Sequence, residues 1–311
     1  MTDATTTAGV PAAAGPTGSI YDIGYRRYEG PRLGRSHAVR SLFSHSLRSA
    51  FGIGRGGRAK IAPIILGGIA LLPAIAIVGA MTLAAQFGVG QRFATQAPIR
   101  YDTYFGSIST IVVLFCAAQA PELFGRDQRH GVLALYFARA LRRSDYAFAR
   151  VAGFATALLI LQLAPQLLLF LGRVLLSPDI PGAVGDDLPS LGPVLAQGIL
   201  SAALLGGLSM AVSAFTPRRA YATAGIIALF TIPSIVAGVV AGLGSSLVGT
   251  WLILLSPTSV LDGTNAILFG KALGSDFFFI DLPRAAYIVA AVVGIVGSIA
   301  ITVRRFARIA T

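Results

Sequence analysis

The sequence predicts an all-α integral membrane protein with six transmembrane helices, and three observations carry that prediction. Of 311 residues, 55% are hydrophobic and only 12% are charged, a balance foreign to soluble domains of this length. Stretches free of Asp, Glu, Lys and Arg recur at or above the roughly 20 residues that cross a bilayer as a helix. The basic residues gather in alternate connecting segments, the distribution that the positive-inside rule expects.

Five stretches are plain: Ile61 to Gln91, Thr103 to Pro121, Val151 to Gly172, Leu188 to Pro217 and Ala285 to Val303. From Ala220 to Leu261 nothing is charged, a run too long for one span and barely enough for two. Dividing it at "GLGSSLVG" leaves a span from about Tyr221 to Ala241 and a short apolar piece, "LVGTWLILLS", stopped by Pro257. Such a piece fits a re-entrant or interfacial half-helix between spans 5 and 6 better than a crossing. With the amino terminus inside, the cytoplasmic segments collect twenty of the 25 Lys and Arg: nine up to Lys60, six from Arg126 to Arg150, two at Arg218 and Arg219, and three at Arg304, Arg305 and Arg308. Arg92, Arg100, Lys271 and Arg284 fall outside, and Arg173 lies near the outer end of the third span, where it can snorkel. The loop from Ser177 to Ser190 holds three aspartates and no Lys or Arg. A seventh span through Trp251 and Phe269 would bury Asp262 and Asn265, which is costly. The expectation is therefore a multi-pass protein of the cell membrane with both termini cytoplasmic.

Residues 1–35 begin with "MTDATTTAGVPAAAGPTGS", which has no apolar core and reads as a disordered cytoplasmic tail. Residues 36–59 read as an amphipathic interfacial helix and turn. In "SHAVRSLFSHSLRSAFG", Ala38, Val39, Leu42, Phe43, Leu47, Ala50 and Phe51 recur at helical spacing, while His37, Arg40, Ser44, His45 and Arg48 take the other face. This places Val39, Leu42, Phe43 and Leu47 against the inner leaflet, with Arg40 and Arg48 near lipid phosphates; packing on a soluble subunit is the alternative. The six-helix transmembrane domain is expected over 60–303, and a short basic cytoplasmic tail over 304–311.

The membrane interior excludes several classes. His37, His45 and His130 all fall outside the spans, so neither a Ser/His dyad nor an HExxH zinc site can be assembled within them. Asp102 and Glu122 sit near opposite ends of the second span, and no carboxylate pair lies at depth, which disfavours an intramembrane hydrolase and an ion-coupled carrier. Pro63, Pro73, Pro165 and Pro233 read as kinks. No GxxxxGK[ST] loop occurs, and "GIGRGGRAK" has the glycines without the Gly-Lys pair, so the chain is expected to be no enzyme, to bind no ATP by itself and to need no cofactor or metal. Cys116 has no partner for a disulfide. The net charge of +12 is assigned to cytoplasmic loops beside anionic lipid, and no nucleic-acid partner is expected.

The loop between the second and third spans, "GRDQRHGVLALYFARALRRSDYAFAR", is a basic segment set between two apolar runs. From Asp127 to Leu141 it can form an amphipathic helix, with Val132, Leu133, Tyr136, Phe137 and Leu141 on one face and Arg129, His130 and Arg139 off it. Ser144 can cap the third span, with Asp145 in its first turn.

"PELFGRDQRHGVLALYFARALRRSDYAFAR" resembles the region after the second span in type-2 ABC exporter permeases, where it forms the coupling helix that docks into a separate ATPase subunit. Asp127 stands at the family's acidic position, His130 and Gly131 at its His-Gly pair, Leu133 and Leu135 in its apolar run, and Arg143 at the basic residue before the third span. Arg150 falls where a Lys is common; Arg129 replaces a frequent second acid and Ala140 the usual proline. "YDIGYRRYEGPRLGR" is similar to the start of actinobacterial permeases of this kind, and "LLSPTSVLDGTNAILFG" to their re-entrant segment. The resemblance implies an N-terminal elbow helix, a coupling helix over Asp127, Arg129, His130, Gly131, Val132, Leu133, Tyr136, Phe137, Arg142 and Arg143, and the role of membrane subunit in an ATP-driven exporter. Its partners would be two ATPase copies and a second or related permease. The alternative is a non-transporting membrane anchor for a cytoplasmic partner.

Overall fold

The computed structural model describes Gly30 and residues 33–88, 100–138, 141–242, 251–271 and 282–308, and among these there is no strand. In chain order the helices are α1 (Gly34–Ala50), α2 (Arg58–Gln86), α3 (Tyr101–Arg129), α4 (Leu133–Phe137), α5 (Arg143–Leu175), α6 (Ile180–Phe215), α7 (Arg219–Gly242), α8 (Pro257–Leu268) and α9 (Arg284–Ala307). Six of them, α2, α3, α5, α6, α7 and α9, are long and apolar enough to cross a membrane. The chain is a multi-pass membrane protein.

Each span is located as its uncharged stretch predicts, but most helices run further. α3 passes through Pro121, expected as its end, to Arg129. α5 starts two turns early at Arg143, and α6 starts at Ile180, where the Asp179 carboxylate accepts from the Gly182 N–H at 3.2 Å. Ion pairs hold some of the charges on these extensions. Glu122 is shared by Arg55 and Arg219, Asp145 is held bidentately by Arg35, and Asp187 is paired with Arg173 at 2.9 Å. Charged residues mark where the hydrocarbon ends, not where the helix does. Ser144 is not the cap of α5: the Asp145 carboxylate accepts from the backbone N–H of Arg142, the N-cap residue, at 3.1 Å.

The basic loop is not one amphipathic helix from Asp127 to Leu141. Asp127 to Arg129 complete α3, which then closes at Gly131 (φ +63°): the Gly131 N–H bonds to Gln128 O and the Val132 N–H to Asp127 O. Those are the two hydrogen bonds of a Schellman closure, which needs a left-handed residue and so favours glycine. Only Leu133–Phe137 forms the separate helix α4. Arg139 and Ala140 lie outside the described residues, as do most of 1–35 and all of 309–311.

Of the half-helix expected before Pro257, residues 243–250 lie outside the described residues, while Trp251 and Leu252 are helical and run into a 3-10 turn at Ile253–Leu255. A separate helix follows the proline: Pro257 opens α8, and the Ser256 hydroxyl accepts from the Ser259 N–H at 3.2 Å. Proline is well suited to a first helical turn. At 12 residues α8 is too short to cross.

α6 lies at the centre, against α5, α9, α3 and α8. Small residues let the helices approach, as is common where lipid supplies no hydrophobic drive between spans. A Cβ at Gly206 would sit 3.6 Å from Ala155 Cα, and one at Gly153 only 2.6 Å from Ser46 Cβ, where α1 crosses α5. α3 and α6 are the most enclosed spans; α2, α7 and α9 present long apolar faces outward.

Candidate partner-coupling site

At the end of the bundle that carries α1, α4 and the α6–α7 connection, α4 lies across the ends of α3, α5 and α9. Its five residues split by face. Leu133 is buried, Tyr136 and Phe137 are half-buried, and Ala134 and Leu135 point outward, with Leu135 69% exposed. The inner side rests on an aromatic cluster centred on Tyr146, whose ring lies 5.4 Å from Tyr136, 5.8 Å from Phe137 and 5.2 Å from Phe306, with Phe124 against Phe306 at 4.6 Å. These separations suit edge and offset aromatic packing.

Beneath this cluster is a buried ion pair. Asp127 accepts from Arg150 and, at 2.6 Å, from the Tyr146 hydroxyl. The Arg150 guanidinium lies against the Tyr136 and Tyr146 rings at 5.9 and 5.6 Å, and it reaches the Tyr136 hydroxyl and Ser46 Oγ at 3.4 Å. Asp127 and Arg150 thus tie α3, α4, α5 and α1 together at one point. A second tie runs to α9: Arg143 donates to Ala307 O at 3.0 Å, at the carbonyl end of the last span, and sits 5.6 Å from the Phe137 ring. A cation there favours the helix dipole. An open cleft of about 770 Å³ lies between, lined among others by Ala134, Phe137, Leu141, Arg142, Arg143 and Ala307.

The residues expected to form one docking surface are therefore divided. Arg129, His130, Gly131 and Arg142 are exposed; Val132, Tyr136, Phe137 and Arg143 are half-buried; Asp127 and Leu133 are buried within the chain. Gly131 interrupts the helical phase from which a single face was read. Leu135, two positions beyond Leu133, is the outward apolar residue.

α1 packs its apolar side on α5 and α3. Leu42 is buried, Val39, Phe43 and Leu47 are half-buried against the core, and Arg40 and Arg48 are exposed. Burial lowers the His45 pKa below its ordinary value, and Arg150 lowers it further against an opposing pull from Asp127.

Within the bundle, α5 and α6 share an amide and hydroxyl seam that a search for charged residues passes over. Ser201 donates to Gln162 Oε1, Gln197 Nε2 donates to Leu261 O at 3.2 Å, and Gln166 lies one turn beyond Gln162. All four are buried, and the Oε1 atoms of Gln166 and Gln197 accept no hydrogen bond among the described residues. The spacing of Gln162 with Gln166 and of Gln197 with Ser201, four apart in each pair, is the signal that exposes it. Among the described residues no three of His, Cys, Asp and Glu stand together as a metal site would require. No protein-family model matches the chain. No curated protein matches it either.

Proposed function

We propose that this chain is the membrane-spanning permease subunit of an ATP-binding cassette exporter, driven by a separate ATPase subunit that docks on α4. The observation that supports this most is the two-sided character of α4. Its outer side, Ala134 and Leu135 flanked by Arg129, His130 and Arg142, is open, while its inner side is wired to α3, α5 and α9 through Asp127, Arg150, Tyr146 and Phe306. A partner that moved α4 would move three spans with it. A groove on that partner would take Leu135 as an apolar anchor and meet the arginines at its rim, the usual anatomy of a specific interface. In this reading α1 is the elbow helix at the inner leaflet, the 3-10 turn and α8 form the segment between the last two spans, and the substrate passes between two permeases.

The test is retention of the cognate ATPase in mild detergent, followed by ATP-driven transport in reconstituted vesicles. Leu135→Asp should lower ATPase retention at least tenfold, because it buries an unpaired carboxylate in the groove, while leaving the thermal stability of the isolated chain within about 0.5 kcal/mol, as for other exposed sites. Normal retention and transport by Leu135→Asp would remove α4 as the docking element. Retention without any ATP-driven transport by the unmodified chain would identify it as an anchor.

A further inference from the structure

The turn from α1 into α2 folds back on itself and forms a basic cleft. Gly52 (φ +71°) sits so close to the start of α2 that a Cβ there would be 2.5 Å from Ala59 O. Beyond it, Gly54, Arg55, Gly57, Arg58 and Ala59, with Arg126 from α3, line an open cleft of about 530 Å³. The glycines leave its backbone bare.

The cleft is short of negative charge. Glu122 is the carboxylate that serves it, and both oxygens are taken, one by Arg55 and the other by Arg219 at 2.9 Å. Arg58 and Arg126 have no carboxylate partner among the described residues. Burial lowers the pKa of Arg55; Glu122 opposes this, and the Arg126 and Arg219 charges lower it further. Directly along α2 from the cleft, Ile61, Ile64 and Ile65 are 54, 65 and 53% exposed, and Ile69 and Leu72 continue the apolar face. Cations at the mouth of a span, bare backbone between them, and an apolar stripe running into the hydrocarbon are three demands of one amphiphile.

We propose that this cleft binds the phosphate headgroup of an anionic phospholipid from the leaflet at the basic end of the bundle, with an acyl chain along Ile61, Ile64 and Ile65. Arg58 and Arg126 hold the phosphate, and Arg55 contributes from its place on Glu122. The site does not depend on the exporter reading, since it uses neither α4 nor a second subunit.

The experiment uses the purified full-length chain in micelles doped with phosphatidylglycerol or with phosphatidylcholine of the same acyl chains, and counts retained lipid by native mass spectrometry. Phosphatidylglycerol should be retained over phosphatidylcholine, and Arg58→Gln with Arg126→Gln should reduce that retention about tenfold or more, given the attraction of each basic residue to an anionic surface. Ile64→Ser with Ile65→Ser should weaken retention while leaving the arginines in place. Arg304→Gln with Arg308→Gln, exposed cations at the same end, should change nothing. Undiminished retention in the Arg58/Arg126 variant overturns the proposal, and so does an equal loss in the Arg304/Arg308 variant, which would mean diffuse surface attraction. If millimolar inorganic phosphate displaces the lipid and the isoleucine variant retains it normally, the cleft is a free-phosphate site and the lipid assignment is wrong.

Discussion

Arg150 is 2% exposed, deeper than a guanidinium is tolerated without compensation, and Asp127 is the carboxylate beside it. Removing two ions from water costs several kcal/mol each, repaid only if both remain and their other groups find partners. Tyr146 and Tyr136 supply some of those partners, although Arg150 Nε has none among the described residues. Asp127→Ala should therefore destabilise the chain by about 3–5 kcal/mol, whereas Asp127→Leu with Arg150→Met should recover most of that loss. Thermal unfolding in detergent measures both, and a double variant as unstable as the single one would show that the pair holds more than its own charges. Asp262 on α8 is the opposite case, a carboxylate whose pKa burial raises to about 6. Its ordinary value is about 3.9, so the folded chain keeps the proton after the unfolded chain has lost it. The resulting stability is complete below about pH 4 and lost as pH rises toward about 6, at most about 3 kcal/mol in all. Asp262→Asn should abolish that fall and raise Tm at neutral pH; a parallel Tm profile over pH 4 to 7 would place Asp262 in water. The inward fate of Asp127 was not legible in sequence, because a resemblance in spacing marks a position without saying which way it faces.

α1 is held to α5 at Gly153, where a Cβ would meet Ser46 Cβ at 2.6 Å and Phe43 O at 2.9 Å. The second contact is backbone, which cannot rotate away. Gly153→Val should cost about 1–3 kcal/mol as an overpacked contact and loosen α1 selectively, so that trypsin cuts faster at Arg40 and Arg48 while α5 stays protected. Gly106→Ala, with nothing within 4 Å of the new carbon, is the matched control; cleavage unchanged in both would show that α1 is not anchored there. The existence and order of the six spans were legible because bilayer insertion penalises charge heavily, and uncharged runs of about 20 residues have few other uses. Their ends were less so. A helix continues past the hydrocarbon where its charges are paired, as at Glu122 and Asp145, or face water, as at Arg129 and Asp186, and pairing between distant segments leaves no local trace. The division of the basic loop could have been read from the glycine of "RHGV", which follows the last periodic residues as a helix-closing glycine does. Pro257 was recognised as a boundary, but a boundary proline opens a helix as readily as it closes one.

Over the whole bundle, charge is sorted between two ends. Arg55, Arg126, Arg143, Arg150, Arg219 and the end of α9 meet around α1 and α4, while the pairs Asp102 with Lys271 and Arg173 with Asp187 lie at the other end of α3, α5 and α6. The spans are also longer than a bilayer needs. At 1.5 Å per residue the 36 residues of α6 reach about 54 Å, against about 30 Å of hydrocarbon. The first turns of α6, with Asp186 exposed, should therefore stand clear of the membrane on one side, and Arg308, exposed just after α9, on the other. The excess of Lys and Arg predicts that the α1 and α4 end faces the cytoplasm. The prediction is tested with Asp186→Cys and Arg308→Cys, each in a Cys116→Ala background, and an impermeant maleimide applied to intact cells. Cys116 is buried, so its removal guards only against labelling of unfolded chain. The Asp186→Cys protein should label in intact cells and the Arg308→Cys protein only after permeabilisation. The reverse pattern would invert the bundle and expose α4 to the outside, away from any ATP. Labelling of both in intact cells would require an even number of crossings between them, in place of the three that α6, α7 and α9 make.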